Sequence, residues 1–134
     1  MTDQPDLVYL DASALVKLVV AEAETAALRT YLTQHSHCAT SVLARVEVAR
    51  ALGRVGVDRQ ARLEAVFEGL IVVELTDDIV ARARRVGPST LRTLDAIHVA
   101  TALELSADLT AFLTYDGRLV DAARALGIAI AAPA

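Results

Sequence analysis

Four acidic side chains occupy positions from which a folded chain could bring them together, namely Asp11, Glu47, Asp95 and Asp116. Carboxylates held close together repel one another, and their pKa values rise unless a cation neutralises them. Mg²⁺ and Mn²⁺ prefer such oxygen ligands, although they keep several waters and need only one or two direct carboxylates. A cluster of this kind suits metal-assisted phosphoryl transfer, in which one or two ions activate water and stabilise the leaving oxygen.

Each of these acids also has a purely structural interpretation. Asp11 and Asp116 each follow a predicted strand, where an Asp commonly caps the next helix. Glu47 can pair with Arg50 three residues later, which is a weak surface interaction. Asp95 lies in a stretch that is apolar or small on every side, so its carboxylate needs a hydrogen bond, a charged partner or a metal. The set of four, rather than any one acid, favours a site.

The elements that must position these acids alternate between strand and helix along the chain. Short apolar or β-branched runs predict strands at Leu7–Leu10, His37–Thr40, Leu70–Leu75, Leu109–Tyr115 and Ile128–Ala131. The intervening segments predict helices over Ala12–Val20, Glu22–Gln34, from a Ser41 cap to about Leu52, from an Asp58 cap to about Glu68, Thr76–Val86, the buried stretch 91–103, and Gly117–Leu126. This alternation predicts an α/β fold whose mostly parallel sheet of about five strands is flanked by helices. Ligands of such sheets bind beyond the carboxyl ends of the strands, where Asp11 and Asp116 are expected.

Two hydroxyl groups are expected beside the same strand ends. Ser13 follows Asp11 by two residues, and Thr114 precedes Asp116 by two. Each hydroxyl could orient a carboxylate or a metal-bound water. Helix capping by Ser13 and the strand propensity of Thr114 explain these residue types equally well.

The bulk composition predicts one compact cytoplasmic domain spanning residues 1–134. A chain of 134 residues, 54% hydrophobic and 4% aromatic, can build a single core from Ala, Val, Leu and Ile. The net charge of -4 gives no reason to expect general polyanion binding, so contact with nucleic acid requires a local basic patch or a metal. The single cysteine, Cys38, excludes an intramolecular disulfide. We expect neither a signal peptide nor a membrane-spanning segment.

Four sequence blocks surround the acids, in a fixed order along almost the whole chain. They are Tyr9-Leu-Asp11-Ala-Ser13-Ala-Leu, Val46-Glu47-Val-Ala-Arg50-Ala, Thr93-Leu-Asp95-Ala-Ile-His98-Val-Ala-Thr-Ala and Phe112-Leu-Thr-Tyr-Asp116-Gly-Arg-Leu. In their order and spacing these blocks resemble PIN-domain ribonucleases, and within them the toxin component of VapBC-type toxin–antitoxin pairs. Each block is unspecific alone, whereas the ordered set is specific.

The resemblance implies an endoribonuclease that depends on Mg²⁺ or Mn²⁺ and acts as the toxin of a type II toxin–antitoxin system. It implies polar support from Ser13 and Thr114 for the catalytic and metal-binding residues, Asp11, Glu47, Asp95 and Asp116. It also implies an RNA substrate, a homodimer, and a cognate VapB-type antitoxin whose tail occupies the acidic groove. All four acids are present, so nothing in the sequence points to an inactive enzyme.

Three further residues keep two interpretations each. Arg50 and Arg92 are candidates for contacts with backbone phosphates, or for salt bridges that hold the acids. His98 lies one helical turn after Asp95. A packed histidine is favoured over a general base, because the chemistry of the resembled family is carried by carboxylates and metal.

Other phosphoryl-transfer folds fit the sequence less well. A response-regulator receiver requires a Lys after its fifth strand, but the only Lys is Lys17. A phosphatase of the haloacid-dehalogenase type requires a second Asp two residues after the first, where Ser13 stands. The alternative left open is a non-cleaving domain that binds RNA or a partner through the same groove. Metal-dependent turnover distinguishes the two.

Overall fold

The computed structural model describes residues 5–134, which contain one five-stranded sheet and seven helices. The strands are β1 (Leu7–Leu10), β2 (His37–Ser41), β3 (Ile71–Val73), β4 (Leu109–Leu113) and β5 (Ile130–Ala131). The helices are α1 (Ala12–Val19), α2 (Thr25–Thr33), α3 (Ala44–Arg54), α4 (Gln60–Glu68), α5 (Asp77–Ala83), α6 (Thr93–Glu104) and α7 (Gly117–Ala125). The sheet order is β3-β2-β1-β4-β5, and every neighbouring pair is parallel. The predicted α/β fold with a mostly parallel sheet of about five strands is therefore confirmed.

Strand β1 lies at the centre of the sheet, and all of its residues are buried. A continuous apolar run is typical of a parallel strand that is covered on both faces. Alternate side chains of β1 serve opposite layers. Val8 and Leu10 belong to a core formed with α1, α3 and α4, whereas Leu7 and Tyr9 belong to a core formed with α6 and α7.

The order of the strands reverses at β1. The chain runs outwards from β1 to β2 and β3, and then returns to the opposite side of β1 to form β4 and β5. Helix α1 follows β1 on one face of the sheet, whereas α7 follows β4 on the other. A crevice at the carboxyl ends of strands that diverge in this way is where open α/β sheets bind ligands.

Several boundaries and positions differ from those that the sequence predicts. The strand predicted at Leu70–Leu75 contains only Ile71–Val73, since it is an edge strand that pairs with β2 alone. Ser41 ends β2 rather than capping the next helix, which begins at Ala44. Asp95 lies in the first turn of α6, half buried, rather than in the middle of a buried helix.

Helix α6 is buried along most of its length, as its composition predicts. Its buried residues include two polar ones, His98 and Thr101, and both need partners inside the fold. The hydroxyl of Thr101 donates to the carbonyl oxygen of Ile97 at 2.7 Å. The partners of His98 belong to the site described below. Helices α2 and α4 begin at Thr25 and Gln60, slightly later than predicted.

Within residues 5–134, no helix is both long enough and apolar enough to cross a membrane. The longest, α6, has 12 residues, whereas a membrane span needs about 20. The expectation that the chain has no signal peptide rests partly on Met1–Gln4, which lie outside the described residues.

Candidate active site

Asp11 is buried directly after the central strand, at the amino end of α1. Its Oδ1 accepts hydrogen bonds from the Ser13 hydroxyl at 2.6 Å and from the backbone N–H of Ala14 at 3.0 Å. Its Oδ2 accepts a hydrogen bond from the Thr114 hydroxyl at 2.6 Å. Burial raises the pKa of Asp11, and these three donors oppose that rise because they stabilise the ionised form. The carboxylate is therefore held in one orientation at the carboxyl edge of the sheet.

Ser13 and Thr114 connect the end of β1 to the loop between β4 and α7. Oγ of Ser13 accepts a hydrogen bond from the N–H of Tyr115 at 2.9 Å. Oγ1 of Thr114 accepts one from the N–H of Asp116 at 3.1 Å. Each hydroxyl thus receives one hydrogen bond from this loop and donates another to Asp11. The parallel pairing of β1 with β4 brings these groups within reach of one another.

Asp116 and Asp95 extend the acidic edge that begins at Asp11. Asp116 precedes α7, where its Oδ1 accepts a hydrogen bond from the N–H of Arg118 at 3.0 Å. The pKa of Asp95 is raised first by burial and next by the negative charge of Asp116, with a smaller contribution from Asp11. Electrostatic interactions of Asp95 with His98 and with Arg92 act in the opposite direction and lower its pKa. The structure therefore brings three of the predicted acids into one electrostatic neighbourhood.

Glu47 lies in the first turn of α3, and its side chain is 19% exposed. Its Oε1 accepts a hydrogen bond from Nε2 of His98 at 2.6 Å. No ion pair joins Glu47 to Arg50 in the part of the chain that the structure describes. The weak surface pair considered from the sequence is therefore not formed. Glu47 is tied instead to α6, the helix that also carries Asp95.

His98 is packed inside the fold, and it also joins two polar partners. Its side chain is 2% exposed, and its Nδ1 lies 2.6 Å from the hydroxyl of Tyr9. Tyr9 is fully buried in β1 and stacks on Phe112, with ring centroids 5.1 Å apart. The sequence does not single out Tyr9, because its apolar neighbours in β1 mark it only as a core residue.

The carboxylates of the site are the oxygen ligands that Mg²⁺ and Mn²⁺ prefer. Neighbouring acids raise the pKa of Asp95, and a cation would relieve that repulsion. Among residues 5–134, however, no three Asp, Glu, His or Cys side chains stand close enough to hold one ion together. An ion bound by one or two direct carboxylates, with waters completing its ligand shell, agrees with the raised pKa of Asp95. It also agrees with the absence of a group of three ligands among residues 5–134.

Two grooves contain one each of the predicted acids, Glu47 and Asp95, and arginine side chains line both. One groove is lined by α1, α3 and the start of α6, and includes Glu47 and Arg50. The other lies between α7 and the loop before α6, and includes Asp95, Arg92 and Arg118. Within the described residues, none of these three arginines forms an ion pair. Arg118 stands in the fourth sequence block, but neither its residue type nor its spacing marks it as part of a site.

Residues 8–125 match the PIN domain family. Among similar proteins, ribonuclease VapC47 of Mycobacterium tuberculosis is 44% identical over 132 residues, which cover 95% of this chain and 97% of that protein. Ribonuclease VapC46 of the same species is 44% identical over 126 residues, which cover 94% of this chain and 97% of that protein.

Solved structures of toxins and toxin–antitoxin complexes have the same fold. VapC20 of Mycobacterium tuberculosis, described as a Sarcin-Ricin loop cleaving toxin, matches with a TM-score of 0.72 at 18% identity, over 94% of this chain and 99% of that chain. VapBC2 from Rickettsia felis, bound to a DNA fragment from its promoter, matches with a TM-score of 0.71 at 11% identity, over 94% and 98% of the two chains. A toxin–antitoxin complex from Klebsiella pneumoniae has a TM-score of 0.63 at 18% identity, over 81% and 86%.

Proposed function

The chain belongs to the PIN-domain family as a VapC-type member, and we propose that it is a metal-dependent endoribonuclease, the toxin of a type II toxin–antitoxin pair. The observation that supports this proposal is that Asp11 and Asp116 follow two neighbouring parallel strands, and that the charges of both raise the pKa of Asp95. Its relatives VapC47 and VapC46 are named ribonucleases. The proposed substrate is cytoplasmic RNA, hydrolysed at its phosphodiester bonds.

The proposed cofactor is Mg²⁺ or Mn²⁺, bound directly or through water by the four acids, Asp11, Glu47, Asp95 and Asp116. When bound, such an ion supplies an activated water and stabilises negative charge on the leaving oxygen. The hydroxyls of Ser13 and Thr114 fix both oxygens of Asp11, so this ligand is oriented in advance.

Arg50 and Arg92 are the proposed contacts for phosphates on either side of the scissile bond. Arg50 borders the groove that contains Glu47, and Arg92 borders the groove that contains Asp95. Arginine binds phosphate oxygens through paired N–H donors and positions the strand without reading its bases. A protein with a net charge of -4 can thereby present positive charge where a polyanion approaches. Arg118 adds a second cation to the groove of Arg92.

The proposed protein partners are a second copy of the chain, in a homodimer, and a cognate VapB-type antitoxin. Two of the structural relatives are toxin–antitoxin complexes, from Rickettsia felis and Klebsiella pneumoniae. The groove beside Glu47 also contains Val46 and Leu94, which are 58% and 45% exposed. An apolar surface next to an acidic centre is complementary to an antitoxin tail that carries both apolar and basic side chains.

Cleavage of total cellular RNA by the purified chain tests the proposal. We expect discrete fragments with Mg²⁺ or Mn²⁺, none with EDTA, and a loss on the order of 100-fold or more in the Asp95→Asn variant. The substitution removes a charged ligand but keeps the shape of the side chain. Asp108→Asn makes the same change at an exposed acid before the amino end of β4, and it should leave cleavage unchanged.

The Asp95→Asn variant should keep or raise the thermal stability of the metal-free protein. Burial and neighbouring acids raise the pKa of Asp95, so its ionised form lowers the free energy of unfolding at neutral pH. The neutral amide removes this cost. The gain should disappear well below pH 3.8, the ordinary pKa of Asp, because the carboxyl is then protonated in both the folded and the unfolded state. If Asp95→Asn unfolds the protein instead, Asp95 is a structural acid.

Two results would contradict the proposed nuclease activity. RNA binding without products, by folded protein free of antitoxin, would favour a non-cleaving domain that binds RNA or a partner. Fragments that persist in EDTA and in the Asp95→Asn preparation would come from a contaminating ribonuclease, and wild-type activity would then have no support.

A further inference from the structure

His98 makes a hydrogen bond at each ring nitrogen, although it lies almost completely inside the fold. Nδ1 lies 2.6 Å from the hydroxyl of Tyr9, and Nε2 lies 2.6 Å from Oε1 of Glu47. These residues come from β1, α6 and α3, so the hydrogen bonds cross the core to the groove that Glu47 borders. Tyr9 is fully buried, whereas the side chains of His98 and Glu47 are 2% and 19% exposed.

The chemistry of Glu47 fixes the direction of the hydrogen bond at Nε2. An ionised carboxylate only accepts, so Nε2 of His98 carries the proton that Glu47 accepts. The hydroxyl of Tyr9 can donate to an unprotonated Nδ1 or accept from a protonated one, so it is the partner of Nδ1 in either case. Burial, and to a lesser extent the negative charge of Asp11, raises the pKa of Tyr9, so this hydroxyl keeps its proton at physiological pH.

The rings of Tyr9 and His98 are fixed by packing as well as by hydrogen bonds. Tyr9 stacks on Phe112 and meets the ring of His98 edge-on, at a centroid distance of 5.8 Å and an angle of 70°. A hydroxyl held in this way fixes the orientation of the imidazole.

We propose that Tyr9 and His98 are positioning residues for Glu47, which hold its Oε1 and leave Oε2 available to the proposed metal ion. The inference rests on the proposed function. Within the described residues, His98 is the single hydrogen-bond partner of the Glu47 carboxylate, whereas Asp11 has three donors. Loss of such an outer hydrogen bond typically weakens metal binding or activity by about 10- to 100-fold.

A histidine that only fills space would act differently. Removing it would lower the stability of the contact between β1 and α6, with no dependence on whether residue 47 carries a carboxylate. The two roles are therefore distinguished by the coupling between His98 and Glu47.

Calorimetric titration of the metal-free protein with Mn²⁺ measures this coupling in a double-mutant cycle. We expect Tyr9→Phe and His98→Leu each to weaken Mn²⁺ binding by about ten-fold when Glu47 is present. In the Glu47→Gln background the same changes should have no further effect, because the carboxylate on which they act is gone. His98→Gln can place a donor near the position of Nε2, so it should restore part of the affinity that His98→Leu loses.

Thr25→Val is the matched control for the loss of a buried polar contact. Thr25 lies in α2, outside the candidate site, is 3% exposed, and donates to the carbonyl oxygen of Lys17 at 2.7 Å. This variant should lower the melting temperature and leave the Mn²⁺ affinity unchanged.

Nitrogen-15 NMR of the metal-free protein tests the hydrogen bonds without any activity. We expect Nε2 of His98 to carry a proton in the wild type, and this protonation to become partial in Tyr9→Phe. An unprotonated Nε2 in the wild type would overturn the inference. So would equal losses of Mn²⁺ affinity with and without Glu47, or a lower melting temperature with unchanged affinity. A wild-type protein that binds no Mn²⁺ would contradict the proposed function itself.

Discussion

Asp11 accepts three hydrogen bonds, and only one of them comes from a backbone N–H of the helix that it caps. The other two come from side-chain hydroxyls, that of Ser13 in the first turn of the same helix and that of Thr114 after β4. Asp116 likewise caps α7 through a single oxygen. At the junction of a strand with the next helix, the capping position coincides with the carboxyl edge of the sheet. An Asp at this position can therefore satisfy a helix and still face a ligand.

Thr114→Val should lower cleavage while the protein stays folded. Thr114 is fully buried, and valine matches its shape, but valine cannot donate to Oδ2 of Asp11 or accept from the N–H of Asp116. We expect kcat/KM to fall by about 10- to 100-fold, because Asp11 is then free to reorient. Steady-state cleavage of a defined RNA fragment measures the change, and circular dichroism checks the fold.

Thr110→Val is the matched control for Thr114→Val, because it makes the same substitution at the other end of β4. Thr110 is exposed, and its hydroxyl donates to Asp6 at 3.2 Å. The variant should cleave as fast as the wild type. If Thr114→Val were as active as Thr110→Val, the Thr114 hydroxyl would not be needed to orient Asp11.

Among the elements, α6 shows which features can be predicted from the sequence and which cannot. Its composition predicts burial, and the ordered motifs assign Asp95 to it. The position of Asp95 in the first turn is not predictable from composition, because the helix begins at Thr93 without a capping side chain. The bond between His98 and Glu47 joins residues 51 positions apart, and it depends on how α3 and α6 meet, which no local pattern records.

Asp116 has two roles, as the cap of α7 and as a carboxylate of the proposed site, and two substitutions separate them. Asp116→Asn keeps an oxygen that can accept from the N–H of Arg118, so the cap and the stability of the protein should be retained. Asp116→Ala should lower the free energy of unfolding by about 1 kcal/mol. Cleavage should be lost in both variants, because both lack the carboxylate. Denaturant unfolding and RNA cleavage of the same preparations measure the two roles, and full activity of Asp116→Asn would reduce Asp116 to a cap.

Over the whole molecule, the sheet order brings distant parts of the chain to one edge. Because the chain reverses at β1, Asp11 and Asp116 lie at the ends of neighbouring strands although their segments are far apart in sequence. The alternation of strands and helices predicts this order only in general form, since it does not say which strands become neighbours. The motif spacing supplies that information through its resemblance to a known family.

Expression of the chain alone in a bacterial host should arrest growth, and co-expression of the cognate antitoxin should restore it. The arrest should depend on RNA cleavage, so Asp95→Asn at the same protein level should permit growth. Asp108→Asn should arrest growth as the wild type does. Growth curves with matched immunoblots measure these outcomes. Normal growth of cells that contain abundant wild-type chain would contradict the proposed role as a toxin.

The pairing of β1 with β4 also determines when the acidic edge comes into existence. The hydrogen bond between Thr114 and Asp11 spans 103 positions, a length of chain that a ribosome adds in on the order of ten seconds. Contacts between such distant segments form late, because the entropy of closing a long loop opposes them. A nascent chain that has completed β1, β2 and β3 therefore carries Asp11 without Asp116. The proposed nuclease would therefore complete its acidic edge only after its carboxyl-terminal strands have been made and have docked.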